Sequence, residues 1–581
     1  EMQRSLVGSE MCIRDRDMTV AEFIVNKIVE YGVTDVFGIP GGVVLDFLYT
    51  IDGRDGINAH LSYNEQAAAY EACGYAQCNH SLGVAYATRG PGVTNLITGI
   101  ADAYSDSIPV VFITAHADKV VENLTRFDKD QELNIVDMVK NITKYAVAID
   151  DIETVQFEID QALKLAMEGR KGPVLLDISS KLWNKELVDH NFSESNKKII
   201  ELENNDKIIL EIANEIKAAN RPLMLIGDGI QQTGTQRYIK EFSEKTNMPI
   251  VSSRGAQDVA ADCENYFGYI GSHGIRYANF IFEKSDMILA LGNRMSFPIE
   301  SESYRKTMNG KKVIRVDIDE KELQRTVGNE SKKKIDLKIV LPDLTKNSIG
   351  IQCERQWLEI CRCLKQELAE EDNNIVVSNL VNIFRKLKGD EILVSDVGNH
   401  EFWVSRGYEL AQISNRILYS KTFGTLGNAV GKAIGAYYRE KKRVVCFIGD
   451  QGIQLNIQEL QLIAQERIPI AIVIINNNSS GMIMDRERQK YGEHLVHTTQ
   501  ESGYGAPDFK MIADAYRIEY LKATQITKKE TDIIVNQKQP ILLELMIDKD
   551  MKLEPNLPKG ETMQKMIPNL EHDRFEMLNK L

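Results

Sequence analysis

Two strings in the last third of this chain place oxygen ligands at the ends of apolar runs. Val444-Val445-Cys446-Phe447-Ile448 leads into Gly449-Asp450-Gln451-Gly452, and Ile470-Ala471-Ile472-Val473-Ile474-Ile475 leads into Asn476-Asn477-Asn478. Both runs are short, β-branched and bounded by turn residues, the pattern of parallel strands buried on both faces. Ligands of such sheets bind beyond the carboxyl ends of the strands, so Asp450 and Asn477 fall where they can converge. One carboxylate and one amide carbonyl suit a hard cation such as Mg²⁺, which also takes oxygens from substrate phosphates. The implied ligand is a metal diphosphate. A strand ending in Gly-Asp is by itself a common α/β turn; the two strings together carry the inference.

A further candidate lies far upstream. Asn64-Glu65-Gln66-Ala67-Ala68-Ala69 enters a small-residue helix through Gly74-Tyr75-Ala76, and a carboxylate there is either a partner of the helix dipole or a functional acid. Glu65 lies between two Gly-rich turns, Gly38-Ile39-Pro40-Gly41-Gly42 and Thr88-Arg89-Gly90-Pro91-Gly92-Val93-Thr94-Asn95. Glycine allows tight turns and close approach to a ligand, so the three segments read as one ligand-facing rim. In the last third, Gly398-Asn399-His400 and Gly424-Thr425-Leu426-Gly427-Asn428 are loops of the kind that aim N–H groups at an anion.

The elements that must hold these residues follow from length and pattern. At 581 residues the chain exceeds one core, and about 150 residues per domain gives three to four domains. Thr19-Val20-Ala21-Glu22 is a capping box ahead of Phe23, Ile24, Ile28 and Val29 at helical spacing, with a stop at Gly32. A second α/β unit has Ile208, Ile209, Ile212, Ala213 and Ile216 on one helical face, the strand and turn Pro222-Leu223-Met224-Leu225-Ile226-Gly227-Asp228-Gly229, and a strand through Met287-Ile288-Leu289-Ala290-Leu291-Gly292. The expected fold is α/β, three doubly wound domains with parallel sheets, over residues 18–190, 200–350 and 370–549. Residues 191–206 read as a linker and 550–581 as a C-terminal tail. Residues 1–17 show neither helical periodicity nor a signal-peptide core and read as a non-native or disordered leader.

A net charge of -14 and a pI near 5.4 argue against a nucleic-acid or anionic-membrane partner. A bound diphosphate must then be neutralised locally. The eight cysteines form no Cys-x-x-Cys pattern, which fits free thiols in a reducing, cytoplasmic setting. No run approaches the length of a membrane span.

Gly449-Asp450, the spacer, and Asn476-Asn477 match the signature of thiamin diphosphate enzymes. With Gln454-Leu455-Asn456-Ile457-Gln458-Glu459-Leu460 and Gly481-Met482, the chain resembles the large catalytic subunit of acetolactate (acetohydroxyacid) synthases from about Met18 to Asp548. The resemblance implies a pyrimidine-binding, a central FAD-type and a diphosphate-binding domain, with thiamin diphosphate and Mg²⁺ as cofactors and FAD as a third candidate. It implies Asp450, Asn477 and the Ser479 carbonyl as metal ligands. Glu65 would be the partner of the pyrimidine N1′, and Gln131 a catalytic neighbour of the reacting carbons. Gly41, Gly42, Pro91, Asn95, Gly398, Asn399, His400, Gly424, Leu426, Gly449, Gln451, Gly452 and Met482 become cofactor contacts. Lys144 is expected near the active-site face. Gly271, His273, Gly274, Gly292 and Arg294 are the flavin candidates, although the family's Asp-Asp-Arg is reduced to Asn293-Arg294 before Ser296-Phe297-Pro298.

The implied activity is decarboxylation of a 2-oxo acid, pyruvate first, with C–C bond formation to a second carbonyl compound, as in branched-chain amino acid biosynthesis. A homodimer or homotetramer is implied, with the two sets of loops coming from different subunits, and a small regulatory subunit as a further partner. Arg486 stands where the family has a Trp, so an anionic acceptor met by Arg486 is one alternative. A carboligase acting on a keto-sugar or aldehyde, a pyruvate-oxidase-like flavoenzyme, and a passive phosphate-binding module are the others.

Overall fold

The computed structural model describes residues 18–117, 130–187, 202–295, 302–326, 328–348, 350–369 and 374–581. The leader 1–17, residues 191–201 of the linker and Ser296-Phe297-Pro298 lie outside the described residues. Three six-stranded sheets carry the fold, parallel at every pairing.

The first contains β1 (Asp35–Gly38), β2 (Asn58–Leu61), β3 (Gly83–Tyr86), β4 (Val110–His116), β5 (Tyr145–Ile149) and β6 (Val174–Ser179) in the order β2-β1-β3-β4-β6-β5. The second contains β7 (Pro222–Ile226), β8 (Ile250–Ser252), β9 (Tyr266–Tyr269), β10 (Met287–Leu291), β11 (Lys312–Asp317) and β12 (Asn329–Lys334) in the order β12-β11-β10-β7-β8-β9. The third contains β13 (Ile392–Ser395), β14 (Ile417–Tyr419), β15 (Val444–Gly449), β16 (Ile470–Asn476), β17 (Glu519–Ala523) and β18 (Ile541–Met546) in the order β14-β13-β15-β16-β18-β17. First and third sheets thus share one strand order. Their central strands β3, β4, β15 and β16 are buried almost throughout, which is why they read as unbroken apolar runs.

The chain divides into two compact units. One holds the first sheet together with Thr422–Lys441 and Asn456–Gln465; the other holds the second and third sheets.

In the first unit, α1 (Val20–Glu30) starts at the Thr19/Glu22 capping box and buries Val20, Ala21, Ile24, Val25 and Ile28. α2 (Glu65–Asn79) is capped by the Asn64 side chain, which accepts from the Gln66 N–H at 2.8 Å. α3 (Pro91–Asp106) has Pro at its start, where the missing N–H costs no hydrogen bond, after Gly90 at φ 63°.

The small residues of α2 have a packing reason. A Cβ at Gly74 would lie 2.1 Å from the Lys432 carbonyl, and one at Gly435 would lie 1.8 Å from the Glu71 carbonyl. These glycines let α2 and a helix over Asn428–Glu440 approach backbone to backbone. The helix over Asn428–Glu440 also buries an ion pair with α3, Lys432 Nζ to Asp102 Oδ2 at 2.9 Å.

The segment after Asp450 is not one helix. A 3₁₀ stretch, Gly452–Glu459, is broken at Asn456 before a helix over Leu460–Gln465. Asn456 leaves helical geometry and its amide donates to the Gly427 carbonyl at 3.0 Å and to Gln66 Oε1 at 3.3 Å. Among the described residues no helix is long and apolar enough to cross a membrane.

Candidate active site

Glu65 opens α2 in the first unit and is 8% exposed. Its Oε2 accepts from Asn95 Nδ2 at 2.9 Å, and Gly92 keeps space beside Oε1, where a Cβ would sit 3.1 Å away. Asn95, expected as a cofactor contact, therefore spends an amide N–H on Glu65. The acid keeps one oxygen without that restraint.

Around it, Gly41 makes room for protein: its Cβ would fall 2.3 Å from Thr88 Cβ, whereas nothing lies within 4 Å of one at Gly42. Pro91 is the first residue of α3. Gln131 is exposed at φ 59°, against Gly90. Gly424, at φ 67°, is exposed and Leu426 half-buried, in the loop whose Thr425 hydroxyl meets Tyr70 Oη at 2.7 Å.

Lys144 is a correction. It directly precedes β5, at the amino end of that strand, and its ammonium donates to the carbonyls of Leu165 and Glu168. A lysine there caps the carboxyl end of the helix over Val155–Met167, where the helix dipole favours a cation. The ligand rim is at the opposite edge.

In the second unit the ends of β13, β15 and β16 come together. Asp450 follows β15 and is 3% exposed; burial lifts its carboxyl to about 6, against a hydrogen bond from Tyr504 Oη to Oδ2 at 2.6 Å and backbone N–H groups. Asn477 follows β16. Its Oδ1 lies 3.3 Å from Asp450 Oδ1 and 2.8 Å from the Ser479 carbonyl oxygen. Three acceptors facing one another repel, unless the amide turns over or a cation sits among them. Octahedral Mg²⁺ with bonds of about 2.1 Å sets adjacent oxygens about 2.9 Å apart, so the residues fit that ion. Asn476, one residue earlier, points the other way and donates to Glu544 Oε1 at 2.6 Å.

The Gly398 loop stands beside this group. Gly398, at φ 144°, precedes α4 (Asn399–Ala411), and glycine relieves the backbone there. Asn399 donates to Asp485 Oδ2 at 3.0 Å, tying α4 to α6, the helix over Gly481–Tyr491 that carries Met482; the helix over Asn428–Glu440 is α5. His400 is buried, which pushes its ring down to about 4 despite a backbone hydrogen bond at Asp396. Its Nε2 has no hydrogen-bond partner among the described residues. A neutral imidazole with a free ring nitrogen is an unpaid desolvation cost unless a ligand reaches it. Gly449 lies against that ring, and Gly452 is glycine because a Cβ would come 2.2 Å from Asp396 Oδ2. Gln451 between them is exposed.

Arg486 is exposed on α6, and no ion pair joins it to any of the described residues, whereas Arg488 holds Glu493 and Asp550. The flavin candidates sit at the carboxyl edge of the second sheet. The Gly227 and Gly229 N–H groups donate to the carbonyls of Leu291 and Gly292, and Asp228 pairs with Lys421. That turn does not fit a phosphate. A Cβ at Gly292 would meet Gly229 Cα at 2.8 Å, and Gly274 closes on Gly271. The His273 ring packs on Phe402 at 4.4 Å, and the Arg294 carbonyl accepts from Arg315 at 3.3 Å.

Sequence reasoning missed Tyr504, the partner of Asp450, and Glu459. The first has no signal in Gly503-Tyr504-Gly505; the second lay within a quoted string, but a lone Glu there carries no tertiary information.

Three family models match in order: the N-terminal TPP binding domain of thiamine pyrophosphate enzymes over residues 18–138, the central domain over 209–344 and the C-terminal TPP binding domain over 396–545. The acetolactate synthase large subunit of Lactococcus lactis is 30% identical, the match covering 94% of this chain and 96% of that protein. The isozyme 2 large subunit of Escherichia coli is also 30% identical, over 95% of this chain and 100% of that one. The large subunit of the alga Cyanidium caldarium is 27% identical, over 94% and 96%.

Proposed function

The chain belongs to the thiamine pyrophosphate enzymes similar to acetolactate synthase large subunits, and from there we propose that it is a Mg²⁺-dependent carboligase that decarboxylates pyruvate and joins the two-carbon unit to a second carbonyl compound. The observation that carries this is the convergence of Asp450 Oδ1, Asn477 Oδ1 and the Ser479 carbonyl, an oxygen set that suits a hard cation. Bound thiamin diphosphate supplies the electron sink for decarboxylation.

The residues do the rest. Asp450, Asn477 and Ser479 would hold the metal, and Gly398, Asn399, His400, Gly449, Gln451 and Gly452 would line the diphosphate. Gly42, Gly424 and Leu426 of the first unit, and separately Met482 of the second, would be contacts of the cofactor rings. Glu65 holds a proton at Oε1 toward the pyrimidine N1′ while Asn95 fixes its other oxygen. Gln131 would be the residue near the reacting carbons.

The acceptor is the open variable, and the Arg486 guanidinium, which has no ion pair among the described residues, supports one with a carboxylate or phosphate. No step is assigned to flavin, because the Gly227–Gly229 N–H groups are already used; a stoichiometric yellow chromophore in the purified protein would overturn that. A homo-oligomer, and a small-subunit partner of the kind that the relatives' name "large subunit" implies, complete the reading.

The test is product identification. Protein with Mg²⁺ and thiamin diphosphate is given pyruvate alone, then pyruvate with neutral and anionic aldehydes and ketones. CO₂ release with one ligated product is expected; no CO₂ under any condition rejects the proposal.

A further inference from the structure

Asn476 ends β16 just before the Asn477 and Ser479 oxygens, yet its own side chain turns away from them onto Glu544 of β18. The placement follows from register. Ile474 of β16 lies opposite Glu544, and so does Lys522 of β17. Side chains two residues apart share a face of a strand, so Asn476, Glu544, Tyr520 and Lys522 stand on one face of the third sheet.

Glu544 interrupts the apolar run Ile541-Leu542-Leu543 and is 4% exposed. A buried carboxylate needs hydrogen-bond partners to offset its lost hydration. Its Oε1 accepts from Asn476 Nδ2 at 2.6 Å, as short as a charge-assisted bond, and its Oε2 accepts from Tyr520 Oη. Lys522 Nζ lies 3.4 Å from Oε2, but that lysine is 56% exposed and solvent screens the pair. The amide and the phenol are the sheltered partners.

A carboxylate only accepts hydrogen bonds. An amide that meets it must present its NH₂, and this decides where the other end of the amide goes. Asn476 Oδ1 takes the N–H of Asn478 at 2.8 Å. Asn478 sits at φ 49°, the left-handed region that asparagine tolerates better than most residues, and its own Oδ1 accepts the Ala506 N–H at 3.2 Å. Two residues before Ala506 is Tyr504, whose hydroxyl holds Asp450 Oδ2 at 2.6 Å. One series of bonds therefore runs from Glu544 through Asn476 to the turn that presents Asn477 and Ser479, and on through the 504–506 backbone to Asp450.

We propose that Glu544 is a positioning residue for the metal site, acting through Asn476 by fixing its amide so that Oδ1 pins the turn at Asn478. The inference rests on the metal role given to Asp450, Asn477 and Ser479 above. Were the Asn476 amide to turn over, its NH₂ would face the Asn478 N–H. The turn would lose its restraint, and the three oxygens would no longer hold one geometry.

Two substitutions separate the hydrogen bond from the charge. Glu544→Gln removes the charge and keeps an acceptor for Asn476 Nδ2; Glu544→Met, of similar length, removes both. The full chain with thiamin diphosphate and no substrate is titrated with Mn²⁺, a paramagnetic stand-in for Mg²⁺, and free Mn²⁺ is read from its electron paramagnetic resonance signal. Glu544→Met should weaken Mn²⁺ by about tenfold, the cost of losing a group that orients a ligand, and Glu544→Gln should stay within about threefold of wild type. Asn476→Ala should weaken it as much as Glu544→Met, and the double variant should be no weaker than either. Equal weakening in Glu544→Gln and Glu544→Met would make the effect one of charge and overturn the proposal. Wild-type affinity in Asn476→Ala would overturn it too, even if Glu544→Met fails to fold. Asp450→Ala titrated alongside keeps the two readings apart: wild-type Mn²⁺ binding there removes the metal site itself, whereas its loss there beside unchanged Glu544→Met and Asn476→Ala removes only the role of Glu544.

Discussion

The first and third sheets repeat one strand order but carry different chemistry on it. β4 and β16 occupy the same place in their sheets. β4 ends in His116, whose two ring nitrogens meet Asp177 at 3.0 Å and Asp150 at 2.9 Å; burial would lower that ring, but the two carboxylates outweigh it and raise it. β16 ends in amides, and the histidine of its domain, His400, is held neutral with a ring nitrogen unpaired. In the first sheet's domain the histidine is held by two carboxylates; in the third, His400 Nε2 has no hydrogen-bond partner among the described residues, and the proposed function gives that nitrogen and the Asp450–Asn477–Ser479 oxygens to a bound metal diphosphate. The same scaffold serves both because the chemistry sits in the turns beyond the strands and not in the strand order.

The comparison breaks first at Asp450. Asp450→Ala removes the only formal charge of the oxygen set and should cost on the order of 1,000-fold in kcat/KM, with Mg²⁺-supported thiamin diphosphate binding lost in calorimetry. Wild-type affinity would mean that the third domain does not hold the metal. Glu65→Gln should bind cofactor normally and lose at least about 100-fold in kcat; loss of affinity in place of rate would make the two halves alike. Tyr504→Phe deletes only the bond to Asp450 Oδ2 and should weaken Mg²⁺ by about tenfold, read from metal titration of the initial rate. His116 gives the smallest effect. Its raised affinity for a proton contributes stability that is complete below the unfolded value of 6.5 and fades as pH rises through the higher folded value. The difference in melting temperature between wild type and His116→Gln should therefore shrink by about 2–4 °C from pH 6 to alkaline pH. A constant difference would mean that His116 is neutral, like His400.

Much of this was legible in the chain. The buried strands β15 and β16 announce themselves as β-branched runs ended by Gly-Asp and Asn-Asn, and the Thr19/Glu22 box marks α1 because its bonds are local. The small residues of α2 were legible as a pattern, and their cause, the backbone of α5, was not. Lys144 was misread since nothing local says which end of a strand faces the ligand. Asn95 and Tyr504 act through partners 30 and 54 positions away in sequence, a distance at which single-chain patterns say nothing.

Sequence alone determined which groups are available: the oxygen ligands, the acid at a helix start, the glycines where backbones must come close, and an acidic chain that cannot neutralise a diphosphate by general charge. Tertiary structure decided which are already spent. Asn95 on Glu65, Lys144 on carbonyls and the Gly227 and Gly229 amides on Leu291 and Gly292 are used up, while His400 Nε2 has no partner among the described residues. Hydrogen-bonding capacity is a property of each residue, but whether it is filled depends on what long-range folding brings within 3 Å or so.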